Sequence, residues 1–259
     1  MARTVLMYHA VNGPGARLGA SDPAYTVEAG QLVAHLRVLL DAGVTVDCAR
    51  DGLQRRDGAP VMIGFDDGHI THYTHAMPVL VEHGVRADFF VNPGLVGQDG
   101  LADWKQLRAM ARAGMSIQSH GWTHTYFTRL GREQLLRELI ASRRRIEDAI
   151  GEPVTLLAPP GGRSPAGLAA LAREAGYRHV LGSRPGRLRG DPGGVVPRVA
   201  VGPGTSPAQL LAWGRGDRVP ELRARLRHGV LQGAKRVLGD ERYERVRARL
   251  LGLQEVPGT

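Results

Sequence analysis

The sequence predicts an α/β protein built on parallel strands, followed by a basic helical extension. Short apolar runs rich in β-branched residues alternate with segments of helical period, which is the pattern of this class. Most helical segments end in a glycine just before the next strand, as expected where helices carry the chain back to the same end of a sheet. A length of 259 residues suits one such domain, and a barrel and an open wound sheet both fit this order.

Eight segments are predicted as strands because each is short, apolar and bounded by turn residues. They are residues 5–8, 44–46, 61–65, 87–91, 115–118, 154–157, 179–181 and 195–201. Helices are predicted between them, at residues 27–41, 75–83, 103–113, 132–150 and 165–176. Thr26 is expected to cap the first of these helices, and its apolar face is formed by Leu32, Leu36, Leu39 and Leu40.

Positive charge is concentrated near the end of the chain. The formal net charge is +9, and residues 215–250 contain eleven Lys and Arg against five Asp and Glu, which leaves +6 in that segment. Only 5% of residues are aromatic and no nucleic-acid-reading motif is found, so we predict no nucleic-acid partner. We place a domain boundary near residue 206, with a catalytic domain at 1–205 and a basic helical extension at 206–259.

The extension has apolar residues at helical spacing: Val219, Leu222, Leu226, Val230 and Leu231. Such a helix can pack on the barrel, lie on an anionic membrane surface or bind a partner protein. Packing with a solvated basic face is the default expectation.

Cys48 is the only cysteine, which excludes an intramolecular disulfide and a zinc site made of cysteines. The first apolar run is too short for a signal sequence, and no run approaches the roughly 20 apolar residues that span a bilayer. These features predict a cytoplasmic location, with peripheral membrane contact through the basic extension as an additional expectation.

Two carboxylates, Asp66 and Asp67, follow the predicted strand 61–65 directly. In parallel α/β folds the carboxyl ends of strands carry the ligand chemistry. Adjacent side chains there point in different directions, so one carboxylate can bind a metal ion while its neighbour faces a water molecule. The alternative interpretation is an ordinary Asp-Asp-Gly turn.

His120 and His124 follow the predicted strand 115–118. Two histidines four positions apart can approach one ion in a helical turn or compact loop. With a carboxylate they form a three-ligand site with open positions for water, which a hydrolytic metal requires. Two unconnected histidines are the commoner explanation of such a pair, but the Asp pair after an earlier strand favours a metal site.

Gly161, Gly162 and Arg163 follow the predicted strand 154–157. Glycines allow a ligand to approach the backbone closely, and their N–H groups could face a developing oxyanion. Taken alone, this segment is equally an ordinary loop.

Together these segments resemble the polysaccharide deacetylases of carbohydrate esterase family 4, the NodB-homology domain. Residues 64–68 resemble the family's Thr-Phe-Asp-Asp-Gly motif, residues 120–124 its His-Ser/Thr-x-x-His motif and residues 87–91 its Ala-Thr-Phe-Phe-Val strand. The resemblance, over about residues 5–201, implies a distorted (β/α) barrel of about seven strands that removes an N-acetyl group from an amino sugar. It further implies one divalent ion, zinc with cobalt, nickel or iron as alternatives, held by Asp67, His120 and His124. Asp66 is implied as the base that takes a proton from the attacking water.

The third family motif, Arg-x-Pro-Tyr, is not conserved here. Ala158 stands in place of the arginine and Gly161 in place of the tyrosine. Because that arginine orients the catalytic aspartate in the family, another cation is expected to do so here. Arg163 and Arg198 are the candidates, and Arg198 is preferred because it ends a strand.

The general acid is expected at the start of the chain. A late Leu-x-His segment is missing, and His228 in the extension is a poor match. Residues 7–9, Met-Tyr-His, resemble the start of exopolysaccharide deacetylases, in which the motif order is permuted. The resemblance implies that His9 protonates the leaving amine; the alternative is a histidine that caps a strand. Packing or surface positions are predicted for His69, His72 and His75.

Two other functions remain open at this point. The same fold can carry a metal-dependent amidohydrolase that acts on a non-sugar amide or cyclic imide. The altered third motif also leaves a catalytically silent binding module as an alternative.

Overall fold

The computed structural model describes residues 3–19, 21–55, 60–190, 193–217, 219–222, 224–226 and 229. Its centre is a nine-stranded sheet whose strand pairs are parallel. The strands of this sheet are β1 (Thr4–Tyr8), β4 (Val46–Asp47), β5 (Val61–Phe65), β6 (Asp88–Val91), β7 (Ser116–Ser119), β8 (Leu156–Leu157), β9 (His179–Leu181), β10 (Val195–Val196) and β11 (Val199–Ala200). A separate parallel pair is formed by β2 (Val11–Asn12) and β3 (Val27–Glu28).

The sheet curls into an open barrel that is bridged by one short segment. Its strand order is β10-β9-β8-β7-β6-β5-β1-β11, with β4 also paired to β5. The two outermost strands, β10 and β11, are separated in the chain by Pro197 and Arg198 alone. The two edges of the sheet are therefore brought close together by the chain itself. The predicted α/β barrel is confirmed, but the predicted strand 195–201 is divided, because β10 pairs with β9 while β11 pairs with β1.

Up to residue 217, the described residues contain seven α-helices and three short helices of other types, and all but α7 precede the last strand. The α-helices are α1 (Ala29–Asp41), α2 (Ala49–Gly52), α3 (Met77–Glu82), α4 (Trp104–Arg112), α5 (Arg132–Ile150), α6 (Leu168–Glu174) and α7 (Pro207–Arg215). A π-helix spans His72–Ala76, and 3-10 helices span Phe127–Arg129 and Pro160–Gly162. In the part of the chain that the structure describes, no helix is both long and apolar enough to span a membrane.

The core lies between the sheet and its helices. Every residue of β1 and β5 is buried, as expected for parallel strands that are covered on both faces. Phe65 stacks on Tyr8 and on Phe89, with ring centroids 5.2 and 4.9 Å apart. These aromatic contacts join three adjacent strands, so the carboxyl end of β5 projects from a rigid part of the barrel.

The helix boundaries differ from the predicted ones for local reasons. Helix α1 begins at Ala29 with Glu28 as its N-cap, so the expected cap at Thr26 is wrong. Residues 27–28 pair with β2 instead, and the Thr26 hydroxyl donates to the Asp22 carbonyl. Helix α6 begins only at Leu168, because Gly167 has a left-handed backbone (φ 78°).

Helix α7 packs against α1 and is capped by Ser206 and Gln209. After it, residues 219–222 and 224–226 are helical. Three of their larger apolar residues do not face the barrel: Val219, Leu222 and Leu226 are each about 60% exposed. The buried residue is Glu221, which is paired with Arg187 at 3.5 Å and Arg225 at 2.7 Å. The expected packing of the apolar residues of the extension is thus wrong at these three positions. Val230 and Leu231 lie outside the described residues. The domain boundary near residue 206 stays a prediction.

Candidate metal centre and active site

The carboxyl end of β5 presents Asp66 and Asp67 on opposite sides of a sharp backbone turn. The Asp66 N–H continues the ladder by donating to the Tyr8 carbonyl of β1 at 2.9 Å. Asp67 and Gly68 then adopt left-handed backbones, with φ of 78° and 68°. An aspartate at such a φ is strained, and strain of this kind persists where the surrounding structure holds it. The turn separates the directions of the two carboxylates, as the sequence predicted.

Asp67 lies against both histidines that follow β7. The Nε2 atoms of His120 and His124 are each 3.2 Å from Asp67 Oδ1. The three potential ligand atoms all lie within 4.8 Å of one another. The His120 side chain is 2% exposed, whereas those of His124 and Asp67 are 40% and 39% exposed. The cluster is therefore buried on the His120 side and open to solvent on the side of Asp67 and His124.

This donor set fits a catalytic divalent metal. Two imidazole nitrogens and one carboxylate oxygen are the ligands of a zinc site that keeps positions open for water and substrate. Burial alone would raise the pKa of Asp67, but its contacts with His120 and His124 hold that pKa well below its ordinary value. The carboxylate is therefore ionised at neutral pH, as a metal ligand must be.

The loop that carries the two histidines is fixed by polar groups outside the cluster. The Asn92 amide donates to the His120 carbonyl at 2.6 Å and to the Gly121 carbonyl at 3.3 Å. Glu138 of α5 accepts from the N–H groups of Trp122 (2.9 Å) and Thr123 (3.4 Å). Neither supporting residue was predicted from the sequence. Asn92 had a usable signal, because it directly follows a strand, whereas Glu138 lies on a helix and had none.

Asp66 is held by Arg198 from the far edge of the barrel. Arg198 Nη1 and Nη2 donate to the two carboxylate oxygens, each at 2.7 Å, and Nε donates to the Gly182 carbonyl at 2.8 Å. Burial raises the pKa of Asp66, but Arg198, together with the charges of His120 and His9, outweighs this effect and lowers it. Of the two candidate cations, Arg198 is the one that the structure brings to Asp66. Arg163 lies instead over the ring of Tyr126.

His9 lies at the end of β1, beside the same two aspartates. Its charge contributes to the lowered pKa of both Asp66 and Asp67. The imidazole stacks on the Tyr25 ring with centroids 4.8 Å apart. The backbone carbonyl of His9 accepts a hydrogen bond from His72 Nε2 at 3.0 Å. Ring and backbone are therefore both held in place.

His69, His72 and His75 contact the backbone on either side of β2. His69 contacts the Thr71 hydroxyl at 2.9 Å through Nδ1 and the Leu18 carbonyl at 2.6 Å through Nε2. Burial lowers the pKa of His72 to about 3, so its neutral ring donates to His9. His75 contacts the Pro14 carbonyl at 3.2 Å. These contacts agree with the packing and surface positions predicted for the three residues.

The glycine turn after β8 is shaped by a tyrosine from another loop. Gly161 and Gly162 have left-handed backbones, with φ of 58° and 66°. A Cβ atom on Gly161 would lie 2.6 Å from Cε1 of Tyr126, so the Tyr126 ring fills the space beside this glycine. The Gly162 N–H donates within the turn, to the Pro159 carbonyl at 2.9 Å. Of the two glycines proposed to meet an oxyanion, Gly161 is the one left as a candidate donor.

The assembled geometry suits hydrolysis. It places three metal-type ligands, a buried ionised carboxylate and a histidine at one end of the barrel. A carboxylate held by a bidentate arginine can accept a proton without losing its orientation, because each oxygen keeps a further lone pair.

Comparison with known proteins identifies related chains. The family model described as Polysaccharide deacetylase matches residues 54–180, a range that contains Asp66, Asp67, both histidines of the cluster and the glycine turn. It does not extend to His9 or Arg198.

Two curated relatives share part of the sequence. YxkH of Bacillus subtilis (strain 168), whose name places it among polysaccharide deacetylases, is 28% identical over 209 residues, or 78% of this chain and 72% of that protein. A Bacillus cereus protein named peptidoglycan-N-acetylglucosamine deacetylase is 30% identical over 131 residues, or 48% of this chain and 56% of that protein.

Solved structures share the fold. The Streptococcus pyogenes deacetylase PplD, in complex with acetate, superposes with a TM-score of 0.73 at 23% identity, covering 82% of this chain and 97% of that chain. IcaB from Ammonifex degensii gives a TM-score of 0.72 at 22% identity, over 83% of this chain and 97% of that chain.

Proposed function

Because the chain belongs to the polysaccharide deacetylase family, we propose that it is a metal-dependent hydrolase that removes the N-acetyl group from an N-acetylated amino sugar. One observation carries the proposal: the Asp67, His120 and His124 cluster lies beside an aspartate whose two oxygens are held by Arg198. A structural metal site would not need this second, ionised carboxylate. A hydrolytic site does, because water must lose a proton as it attacks.

Asp67, His120 and His124 would hold the divalent ion. Zinc suits this donor set best, and cobalt, nickel and iron accept similar ligands. When bound, the ion supplies Lewis-acid activation of the amide carbonyl and of water. The exposed sides of Asp67 and His124 leave room for both to approach.

Asp66 would act as the general base. Its lowered pKa keeps it ionised at neutral pH, and Arg198 fixes the direction of its free lone pairs. The water loses one proton to Asp66 while its oxygen forms a bond to the amide carbon. The Gly161 N–H is the candidate hydrogen-bond donor to the carbonyl oxygen as negative charge develops on it.

His9 would then act as the general acid. It donates a proton to the amide nitrogen as the carbon–nitrogen bond breaks, which releases the free amine and acetate. The stack on Tyr25 holds the ring in one orientation during this transfer, and the hydrogen bond from His72 holds the backbone of His9.

The substrate is proposed to be a glycan, a lipid-linked precursor or a glycosylated metabolite that carries an N-acetylated amino sugar. The name of the Bacillus cereus relative, a peptidoglycan-N-acetylglucosamine deacetylase, supports the sugar class.

The test combines metal content with acetate release. Full-length protein is loaded with zinc, its metal is measured by elemental analysis, and it is incubated with N-acetylglucosamine oligosaccharides, lipid-linked amino sugars and N-acetylated glycosides. We expect one ion per chain and acetate from at least one class, both lost in the His120→Ala, His124→Ala double variant. Full zinc content in the double variant would refute the metal site. Acetate from simple amides or imides but from no sugar would refute the substrate class.

A further inference from the structure

Glu138 of α5 contacts the loop between His120 and His124 at three points. Its Oε2 accepts from the N–H groups of Trp122 at 2.9 Å and Thr123 at 3.4 Å. Its Oε1 accepts from the Thr123 hydroxyl at 2.8 Å. One carboxylate on a helix therefore ties down the middle of the loop that carries both histidines of the candidate metal centre.

The Thr123 hydroxyl extends this contact past His124. It lies 2.8 Å from the Thr125 hydroxyl, and it accepts from the Thr125 N–H at 3.4 Å. Thr123 and Thr125 flank His124 in the chain. Glu138 and the two threonines thus hold the backbone on both sides of this histidine.

His124 has a backbone conformation that needs such support. Its φ is 63°, in the left-handed region that residues with a Cβ atom seldom adopt. A backbone of this kind persists where the surrounding contacts hold it. Because the His124 side chain is 40% exposed, packing restrains it less than a buried side chain, and the hydrogen bonds on either side carry more of the restraint.

His120 is held by other parts of the fold. Its N–H donates to the Val91 carbonyl at 2.8 Å, and its own carbonyl accepts from the Asn92 amide at 2.6 Å. Its side chain is also buried. Strand β6 and the residue after it therefore position His120, whereas α5 positions His124 through Glu138.

We propose that Glu138 is a positioning residue for the metal centre. Through Thr123 and Thr125 it presets His124 in the conformation in which Nε2 lies beside Asp67, and it thereby sets the affinity for the divalent ion. A ligand that is already in place loses less conformational freedom when the ion binds. The inference rests on the metal site of the proposed function, and it is independent of which substrate the protein cleaves.

The experiment measures the zinc affinity of the full-length protein by competition with a chromogenic chelator. Glu138→Ala should weaken zinc binding about 10-fold to 100-fold, the usual effect of removing a group that orients a metal ligand. Glu138→Gln keeps an oxygen that can accept from the loop N–H groups, so its loss should be smaller. Glu147→Ala is the matched control, because Glu147 of α5 accepts from the Val154 N–H at 3.0 Å, outside the histidine loop. Its zinc affinity should equal that of wild type.

Substitutions of Thr123 test the link between Glu138 and His124. Thr123 is exposed, so changes there should leave the fold intact. Thr123→Val removes the hydroxyl and keeps the shape, and it should weaken zinc binding roughly fivefold, as expected for one lost hydrogen bond. Thr123→Ser keeps the hydroxyl and should bind zinc like wild type. Because both changes break the same chain of hydrogen bonds, the Glu138→Ala, Thr123→Val double variant should bind zinc no more weakly than Glu138→Ala.

Thermal unfolding of the metal-free proteins separates positioning from a general loss of stability. Glu138→Ala and Glu147→Ala each remove an acceptor of backbone N–H groups on the same helix, so both should lower Tm by similar amounts. Zinc affinity should fall only in Glu138→Ala. That divergence is the signature of a positioning role.

Three results would overturn the proposal: wild-type zinc affinity in Glu138→Ala, equal losses of zinc affinity in Glu138→Ala and Glu147→Ala, or additive losses in the double variant. The second would mean that α5 acts through stability alone, and the third that Glu138 and Thr123 act separately. The expected pattern of zinc affinities without acetate release from any sugar would refute the proposed function and support the positioning role. A wild-type protein that binds no zinc would refute both.

Discussion

Arg198 and Asp66, 132 positions apart in the sequence, form a fully buried bidentate ion pair. Arg198 belongs to the seam of the barrel, the Pro197 and Arg198 segment that separates β10 from β11. Among the described residues Arg198 is the largest side chain that is fully buried, and its guanidinium also lies 5.4 Å from the centroid of Phe90. The arginine is therefore fixed by carboxylate, carbonyl and aromatic contacts together, and Asp66 takes its orientation from it.

The first prediction concerns this pair. Arg198→Lys keeps a positive charge but offers Asp66 one point of contact instead of two, so the base loses its fixed orientation. We expect kcat to fall about a hundredfold, with zinc content and KM little changed. Steady-state kinetics and elemental analysis test this, with the exposed Arg112→Lys as control. Wild-type kcat in Arg198→Lys would show that the pair is structural only. Arg198→Ala is avoided because an unpaired buried charge costs about 3–5 kcal/mol.

The second prediction separates the base from the metal ligands. Asp66→Asn removes the proposed proton acceptor and leaves Asp67, His120 and His124 in place. We expect full zinc content and a loss of activity of roughly 100-fold to 10,000-fold, the usual contribution of general base catalysis. Elemental analysis and acetate release on the same sample provide the measurement. Loss of zinc in this variant would mean that Asp66, not Asp67, is a metal ligand.

A third prediction concerns His9 as the general acid. A general acid must be protonated to act, so activity falls on the alkaline side of the pH–rate profile as the acid loses its proton. His9→Ala should lower kcat and abolish this alkaline limb. His83→Gln, a histidine at the end of α3 near the opposite end of the barrel, should keep it. An unchanged limb in His9→Ala would assign the proton to another group.

A fourth prediction concerns the pH dependence of stability. Burial raises the pKa of Asp88 to about 6, an effect only partly offset by hydrogen bonds from Ser116 and from the N–H groups of Ala49 and Arg50. A carboxyl group with a higher pKa in the folded state holds its proton more tightly there than in the unfolded chain. The free energy of unfolding therefore falls as pH rises from about 4 to about 6, by on the order of 3 kcal/mol, and stays low above that range.

Asp88→Asn should remove this contribution, because an amide is neutral throughout the range. Relative to wild type, the variant should gain stability between pH 4.5 and pH 7.5 in urea unfolding. Asp148→Asn, an exposed position on α5, is the control and should follow wild type. A constant difference between Asp88→Asn and wild type would contradict the assignment.

The fifth prediction concerns the basic extension. Residues 215–250 carry a net +6, and Val219, Leu222 and Leu226 are exposed on the described part of the helix. We expect sedimentation with anionic vesicles at low salt and release at high salt, since each basic residue near such a surface contributes about 1 kcal/mol that salt screens. The Leu222→Glu, Leu226→Glu variant should bind less, whereas Val81→Glu, exposed on α3, should bind normally. Failure of the full chain to sediment at low salt would exclude the membrane role.

Much of the fold and the grouping of Asp67, His120 and His124 could be predicted from sequence because the signals are local. Strand β5 is an unbroken apolar run that stops at Asp66, and β7 stops at the His-x-x-x-His segment. The candidate ligand residues therefore follow directly after strand ends that the sequence pattern itself indicates. The choice between Arg163 and Arg198 was only a preference, because it depends on how the chain turns at Pro197. That turn follows from two different strand pairings that no local pattern records.

Other features could not be read from sequence because they depend on contacts between distant segments. Glu138 looks like one more surface charge on an amphipathic helix, yet it accepts from two backbone N–H groups of the histidine loop. The burial of Glu221 could not be predicted, because the apolar residues at helical spacing around it were expected to face the barrel instead. A helical period shows which residues share a face, but the buried ion pair with Arg187 decides which face turns inward.

The seam at Pro197 and Arg198 also constrains the order in which the protein can be made. Strand β1 leaves the ribosome about 190 residues before its outer partner β11. Chains are synthesised at about 5–20 residues per second, so the nascent β1 edge stays open for many seconds. Pairings this distant in sequence also close slowly. Nascent chains released before residue 197 would carry an unpaired β1 edge and an Asp66 without its arginine, so the hydrolytic centre matures only once the barrel portion has been fully translated.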